Sequence, residues 1–282
     1  MIQLWPLLVI GIAPLATAAF LKRGGCEWSV RTALVSTLLC ALCFCLTFLW
    51  QEIWLVIPKA LTPDLHPTLY HNDHAWSGDN PIAELLQGSG AIATLASGLA
   101  FLTVLMRTQR ASPTWRLFSF WMAFQGLFQA LTQLVIGTLL AGNDVGRALA
   151  YLGVGVGAKA ALFACAALAM YGAGKVLARI YPIASVAGAE RSLGFSAVVF
   201  IPALLSVALI IPFRIPREAI EVVLIPLIVN GLGSAWLIAG AVATRAKGGS
   251  DPSASPKFIG PALSLCALLA FFQLVLRPGI SF

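Results

Sequence analysis

Apolar residues run in long stretches separated by short polar connections, and these stretches, rather than any strand-like alternation, organise the chain. A helix rising about 1.5 Å per residue needs roughly 20 residues to cross about 30 Å of hydrocarbon. Runs of that length predict about eight transmembrane helices, at residues 3–21, 33–57, 82–106, 116–141, 156–179, 193–213, 219–244 and 258–276. The run 144–155 is too short and too rich in glycine to span alone, and is expected as a surface or re-entrant helix leading into the fifth span. Residues 58–81 read as a polar loop on the outer side, and 246–257 as a flexible cytoplasmic link. With no internal repeat and no soluble domain, the expectation is one all-α integral-membrane domain over residues 1–282, a polytopic transmembrane helix bundle.

Composition supports that picture. Hydrophobic residues make up 59% of the chain and charged ones only 10%, far from the quarter-charged make-up of a soluble domain. The charges also carry an orientation. In the eight-span arrangement 12 of the 18 basic residues, among them Lys22, Arg23, Arg107, Arg110, Arg179 and Arg245, fall at connections on one side. By the positive-inside rule that side is cytoplasmic, so both termini and the 58–81 loop are expected to face away from the cytoplasm, as in a bacterial inner membrane. The net charge of +7 thus reflects topology, and nothing suggests a nucleic-acid surface. The first apolar run has no basic residue before it and Lys22-Arg23 after it, so it is expected to remain as a span and not as a cleaved signal.

Packing accounts for most of the special residues inside the spans. Gly90, Thr94 and Gly98 recur every four residues, which lets a neighbouring helix approach closely. Pro226, Asn230, Gly231, Gly233 and Ser234 make a kinked, small-residue patch in the seventh span. Cys40 and Cys43 have C-x-x-C spacing, yet no second pair completes a metal site. No span carries a histidine, which argues against an intramembrane haem, and no cofactor is expected.

Two constellations carry candidate chemistry. Gln125, Gln129 and Gln133 lie at i, i+4 and i+8 on one face of the fourth span. Three amides in hydrocarbon must find partners, either in an interhelical ladder or around a polar cavity. All three histidines, His66, His71 and His74, fall within nine residues of the 58–81 loop, with Asp73 and Asp79 close by. Imidazole and carboxylate ligands can hold zinc or a similar ion, although this spacing fits no standard zinc module, so a surface loop is the expectation.

In order and spacing, residues 40–180 resemble the site-2 protease family of intramembrane zinc metallopeptidases. Gln51-Glu52-Ile53-Trp54-Leu55 stands where that family carries H-E-x-x-H on a membrane helix. Thr68-Leu69-Tyr70-His71-Asn72 follows, then Gln87-Gly88-Ser89-Gly90-Ala91 opening the third span, then Gly142-Asn143-Asp144-Val145-Gly146 after the fourth. The resemblance implies a zinc site at the first motif with Asp144 as third ligand and Glu52 as general base. Gln51 and Leu55, however, supply a poor ligand and none at all, and a base without a metal-bound water has little to activate. The resulting expectation is a non-catalytic member of that fold, a scaffold or accessory subunit whose partners are the lipid bilayer and other membrane-protein subunits. A small-molecule or lipid transporter using the glutamine stripe is the alternative. A third reading is an active metallopeptidase with ligands relocated to His66, His71, His74 and Asp144.

Overall fold

A computed structural model describes residues 30–108, 110–181, 199–215, 217, 219–243 and 256–282. The expected first span, the start of the sixth and most of the 246–257 link lie outside the described residues. The helices are α1 (Val30–Ala60), α2 (Ile82–Leu86), α3 (Gly88–Arg107), α4 (Pro113–Leu139), α5 (Asp144–Tyr151), α6 (Val156–Ile180), α7 (Ile201–Arg214), α8 (Ile225–Val242) and α9 (Ile259–Phe271). A π-helical turn, Ile220–Leu224, leads into α8, and another, Phe272–Leu276, extends α9. Six of these segments are long and apolar enough to cross a membrane, which makes this a multi-pass helical membrane protein. Within the expected sixth span residues 199–213 are described, nearly all of them in the 14-residue α7.

Apolar residues cover these helices on every side, so burial is decided by position in the bundle. Some 72% of the most apolar window is buried in both α1 and α4, against 28% in the α2–α3 segment and 22% in α6. The first two are therefore the central pair and the others face lipid. Phe44 and Leu39 of α1 pack in one core with Phe120, Trp121, Phe124 and Phe128 of α4. In α3 the small residues Gly90, Thr94 and Gly98, with Leu105, are the buried ones, so the small-residue face is its packing face. There α3 meets α4 backbone to backbone: a Cβ on Gly98 would lie 2.6 Å from the amide nitrogen of Leu127. The gain is close van der Waals contact, which between membrane helices substitutes for the hydrophobic effect.

Segment 58–81, expected as a loop, folds as a hairpin, β1 (His66–Leu69) and β2 (His74–Ser77), and β3 (Ile280–Ser281) adds to its other edge in the order β2-β1-β3. Pairing is antiparallel, with Leu69 opposite His74 and Thr68 opposite Ser281. Four-residue strands leave too short an alternation to register in sequence, and the third strand comes from more than two hundred residues away. The hairpin tip, closed by Tyr70 N–H donating to the Asp73 carbonyl at 2.9 Å, turns into the bundle: His71 and Asn72 are buried.

Replacing Gly98 with valine should lower stability by about 1–3 kcal/mol, the usual cost of overpacking, because the new side chain meets backbone that cannot step aside. Gly172→Ala, where a Cβ meets nothing within 4 Å, should leave the midpoint of thermal unfolding in detergent unchanged.

Candidate functional site

The hairpin closes one end of a chamber of about 200 Å³ between α1, α4, α5 and the start of α8, where polar and apolar side chains share the wall. Gln51 and Glu52 of α1, Asn72, Asp73 and His74 of the hairpin, Gln129 and Gln133 of α4, Asp144 of α5, and Glu221 line it. Residues 92 positions apart in sequence, Glu52 and Asp144, thus share one wall.

Local structure fixes each of them. Gln51 and Glu52 lie in the buried part of α1, and α3 rests directly on that turn: a Cβ on Gly90 would meet Leu55 Cγ at 2.7 Å and Gln51 Cγ at 2.9 Å. Asp144 opens α5, capped by Asn143, whose Oδ1 accepts from Val145 N–H at 3.1 Å. Such a cap satisfies one of the unpaired amides at a helix start. Arg147, one turn on, pairs with Glu84 of α2 at 2.6 Å, tying α5 to the segment that leads into α3.

The glutamine stripe faces protein. Gln125 donates to Asn230 Oδ1 of α8 at 2.7 Å, Gln129 to Gln125 Oε1 at 3.3 Å, and Gln133 to Gln51 Oε1 at 2.6 Å. The sequence offered a ladder or a cavity as alternatives, and the stripe serves both. Gln125 belongs to the core between α1, α4 and α8, while Gln129 and Gln133 reach the chamber wall.

The three histidines part company. His66 is exposed at the far end of β1. His71 is buried against Phe272, with ring centroids 6.1 Å apart, and burial, helped by the charges of Arg214 and Arg217, pushes it down to about 4. His74 alone joins the chamber. Its Nδ1 lies 2.8 Å from Glu52 Oε2 and its Nε2 2.9 Å from Gln87 Oε1, with the ring stacked on Trp76. Lys59, buried at the end of α1, donates to the same Gln87 oxygen at 2.9 Å and to the Leu55 carbonyl at 2.8 Å. An ammonium only donates, so that Gln87 atom is the carbonyl oxygen and His74 faces acceptors through both ring nitrogens. Burial opposes the charged ring, but the hydrogen bond and charge of Glu52 outweigh it and hold His74 above its ordinary value.

Asp73 pairs with Arg217 at 2.8 Å, and its carboxylate comes together with those of Glu52 and the His74 ring so that one ligand atom from each lies within 4.8 Å of the others. Asp79 is exposed and takes no part in the wall. Sequence reasoning named Glu52, His74, Asp73 and Asp144 separately; Gln87 was noted only as the start of the Gln87-Gly88-Ser89-Gly90-Ala91 motif and Lys59 only as a charge on the outer side, and neither was connected with His74. Asp144 is raised from an ordinary 3.8 to about 6, first by burial and then by the neighbouring Glu52 carboxylate.

Comparison of the chain with protein-family models, with curated proteins and with solved structures finds no match.

The Asp144 carboxyl gives a pH prediction. Its folded-state value lies above its unfolded one, so the folded protein holds this proton more tightly, and stability falls as pH rises from about 4 to about 6 and is level beyond. A displacement from 3.8 to about 6 corresponds to on the order of 3 kcal/mol. In metal-free buffer, Asp144→Asn should flatten the fall in unfolding midpoint across that window; an unchanged slope would show that another group causes it.

Proposed function

We propose that this chain is a non-catalytic multi-pass membrane protein of site-2-protease-like build, serving as a binding or scaffold subunit of a membrane complex. The observation that carries the reading is the fate of the position matching the first zinc ligand. Gln51 and Glu52 share a chamber with Asp144, as the motif order implies for a peptidase centre. Yet the Gln51 amide is engaged by Gln133 across the bundle, and Leu55, at the second ligand position, is buried beside α3. The two positions of this turn of α1 that would carry histidine are packing positions, and Glu52 beside them is met by the His74 ring. On this reading the chain keeps the motif order without the hydrolytic apparatus.

The apolar runs support about eight spans, and the basic residues distributed over them support termini outside the cytoplasm and residence in a bacterial inner membrane. The hairpin and chamber then open toward the non-cytoplasmic side. A transporter reading draws on one specific feature, the π-helical turn Ile220–Leu224 beside the chamber, since π turns within helices concentrate at functional sites.

Two measurements check this. A reporter active only in the cytoplasm, fused after Phe282, should be silent; strong activity would reverse the orientation or make the span count odd. Purified protein in lipid vesicles should not cleave membrane-inserted peptides with or without added zinc. Cleavage abolished by Glu52→Gln would overturn the non-catalytic reading, and solute flux into the vesicles that stops on replacing Gln129 and Gln133 with leucine would favour the transporter.

A further inference from the structure

The chamber wall has a consistent polarity. Asn72, Gln129 and Gln133 each commit the amide nitrogen to protein: Asn72 to the Arg214 carbonyl at 3.0 Å, Gln129 to Gln125 and Gln133 to Gln51. Each leaves its amide oxygen buried and without a hydrogen-bond partner. Asn72 and Gln129 are both only 2% exposed, so these are acceptors withheld from water on the wall of a cavity. Buried acceptors of this kind are costly unless something meets them. The same wall carries the carboxylates of Glu52, Asp73, Asp144 and Glu221. This acceptor-rich side of the cavity, set against the apolar side chains of Phe48, Ile136, Ile225 and Val229, fits a cation.

We propose that the chamber binds one divalent first-row transition-metal ion through Glu52, Asp73 and His74. The three offer one nitrogen and two carboxylate oxygens whose ligand atoms already lie within 4.8 Å of one another. Imidazole with two carboxylates is a borderline donor set, suited to zinc or manganese more than to calcium or magnesium, which favour oxygen alone. His74 is oriented as metal-binding histidines are: Nδ1 points to Glu52 and the shared site, while Nε2 meets the Gln87 carbonyl. A ring nitrogen donating to a carbonyl fixes the tautomer and raises the basicity of the nitrogen that binds. Lys59 holds that carbonyl from the other side, so the orienting group is itself fixed. On binding, the ion takes the place of the proton between Nδ1 and Glu52, and that proton leaves to solvent. About 200 Å³ leaves room for bound waters as well, at about 30 Å³ of liquid volume each, and those waters can donate to the free oxygens of Asn72 and Gln129.

The inference is compatible with a non-catalytic protein but does not depend on it. In a zinc peptidase the glutamate must stay free to take a proton from the metal-bound water, whereas here Glu52 is itself a ligand. The site also differs from the one the resemblance implies, because its imidazole comes from the hairpin and not from α1.

Full-length protein, purified in detergent and stripped with chelator, is titrated with zinc, manganese, calcium and magnesium by calorimetry. Cobalt is used as a spectroscopic probe. The expected result is one saturable equivalent of zinc or manganese, with calcium and magnesium at least tenfold weaker. Asp73→Asn and His74→Ala should abolish saturable binding, Gln87→Leu should weaken it by roughly 10–100-fold, and His66→Ala should leave it unchanged. Should His74→Ala fail to fold, the cobalt spectrum of wild-type protein still decides, because an imidazole-ligated ion differs from one held by oxygen alone. Absence of saturable binding by folded wild-type protein, or binding indifferent to Asp73→Asn, would overturn the proposal. Tighter calcium than zinc would overturn the ion class. None of these outcomes reports on peptide cleavage, so failure here and failure of the non-catalytic reading are separable.

Discussion

Hydrocarbon offers no partner to an amide or a carboxylate, so each polar side chain on the spanning helices must be met by another from within the bundle. In this protein α1 and α4 carry that requirement together. Gln51 meets Gln133, Gln125 meets Asn230 of α8, and Trp121 Nε1 donates to Ser36 at 3.0 Å. These bonds specify register as well as adding energy: sliding α4 along α1 by one turn would leave several amides unmatched at once. Apolar contacts in lipid discriminate poorly between registers, because leucine packs about as well against lipid as against leucine.

The close crossings follow from the same requirement. Amide side chains are short, and bonds of 2.6–2.7 Å between helices are possible only if the backbones approach closely. The small-residue face of α3 permits this where it crosses Gly126 of α4 and rests on Gln51 and Leu55. At the hairpin end the requirement is met differently. Backbone outside a helix must be covered, and the hairpin is paired on one edge by β3, with Phe282 N–H donating to the Pro67 carbonyl at 2.9 Å. Arg217 and Arg214 hold the tip, the first through Asp73 and the second through its own carbonyl to Asn72.

Much of the bundle was legible in the sequence because length and hydropathy are strong one-dimensional signals: α1, α4, α6, and α9 together with its π-helical extension begin and end within about three residues of the expected spans. The glutamine stripe was legible too, since three amides at helical spacing in hydrocarbon demand partners whatever the fold. What could not be read was who those partners are. Asn230 was noted only as part of a kinked patch, and Gln51 only as a lost ligand. The hairpin escaped for a second reason, that its third strand is brought in by tertiary structure. His66, His71 and His74 look alike in sequence; what separates them is the direction in which each side chain leaves a turned strand pair, and this sends one to solvent, one against Phe272 and one to Glu52.

The chamber differs from the rest of the interior in the sense of its polarity. In the core Gln125 donates to Asn230 and leaves the Asn230 amide nitrogen as the unmatched atom, whereas on the chamber wall the amides of Asn72, Gln129 and Gln133 turn their donors into protein and leave the acceptors inward. Cationic groups stand around it: Lys59 donates to Gln87, Arg147 to Glu84 and Arg214 Nε to the Glu221 carbonyl, and Arg217 pairs with Asp73. Because Asp73 and His74 belong to the hairpin and Glu52 to α1, any ligand that engages all three also fastens the hairpin to the bundle. Binding free energy is then docking free energy of the hairpin, by the linkage that makes a ligand stabilise whichever state binds it. In this fold, a ligand that spans Glu52, Asp73 and His74 stabilises the docked hairpin over any state in which the two parts separate.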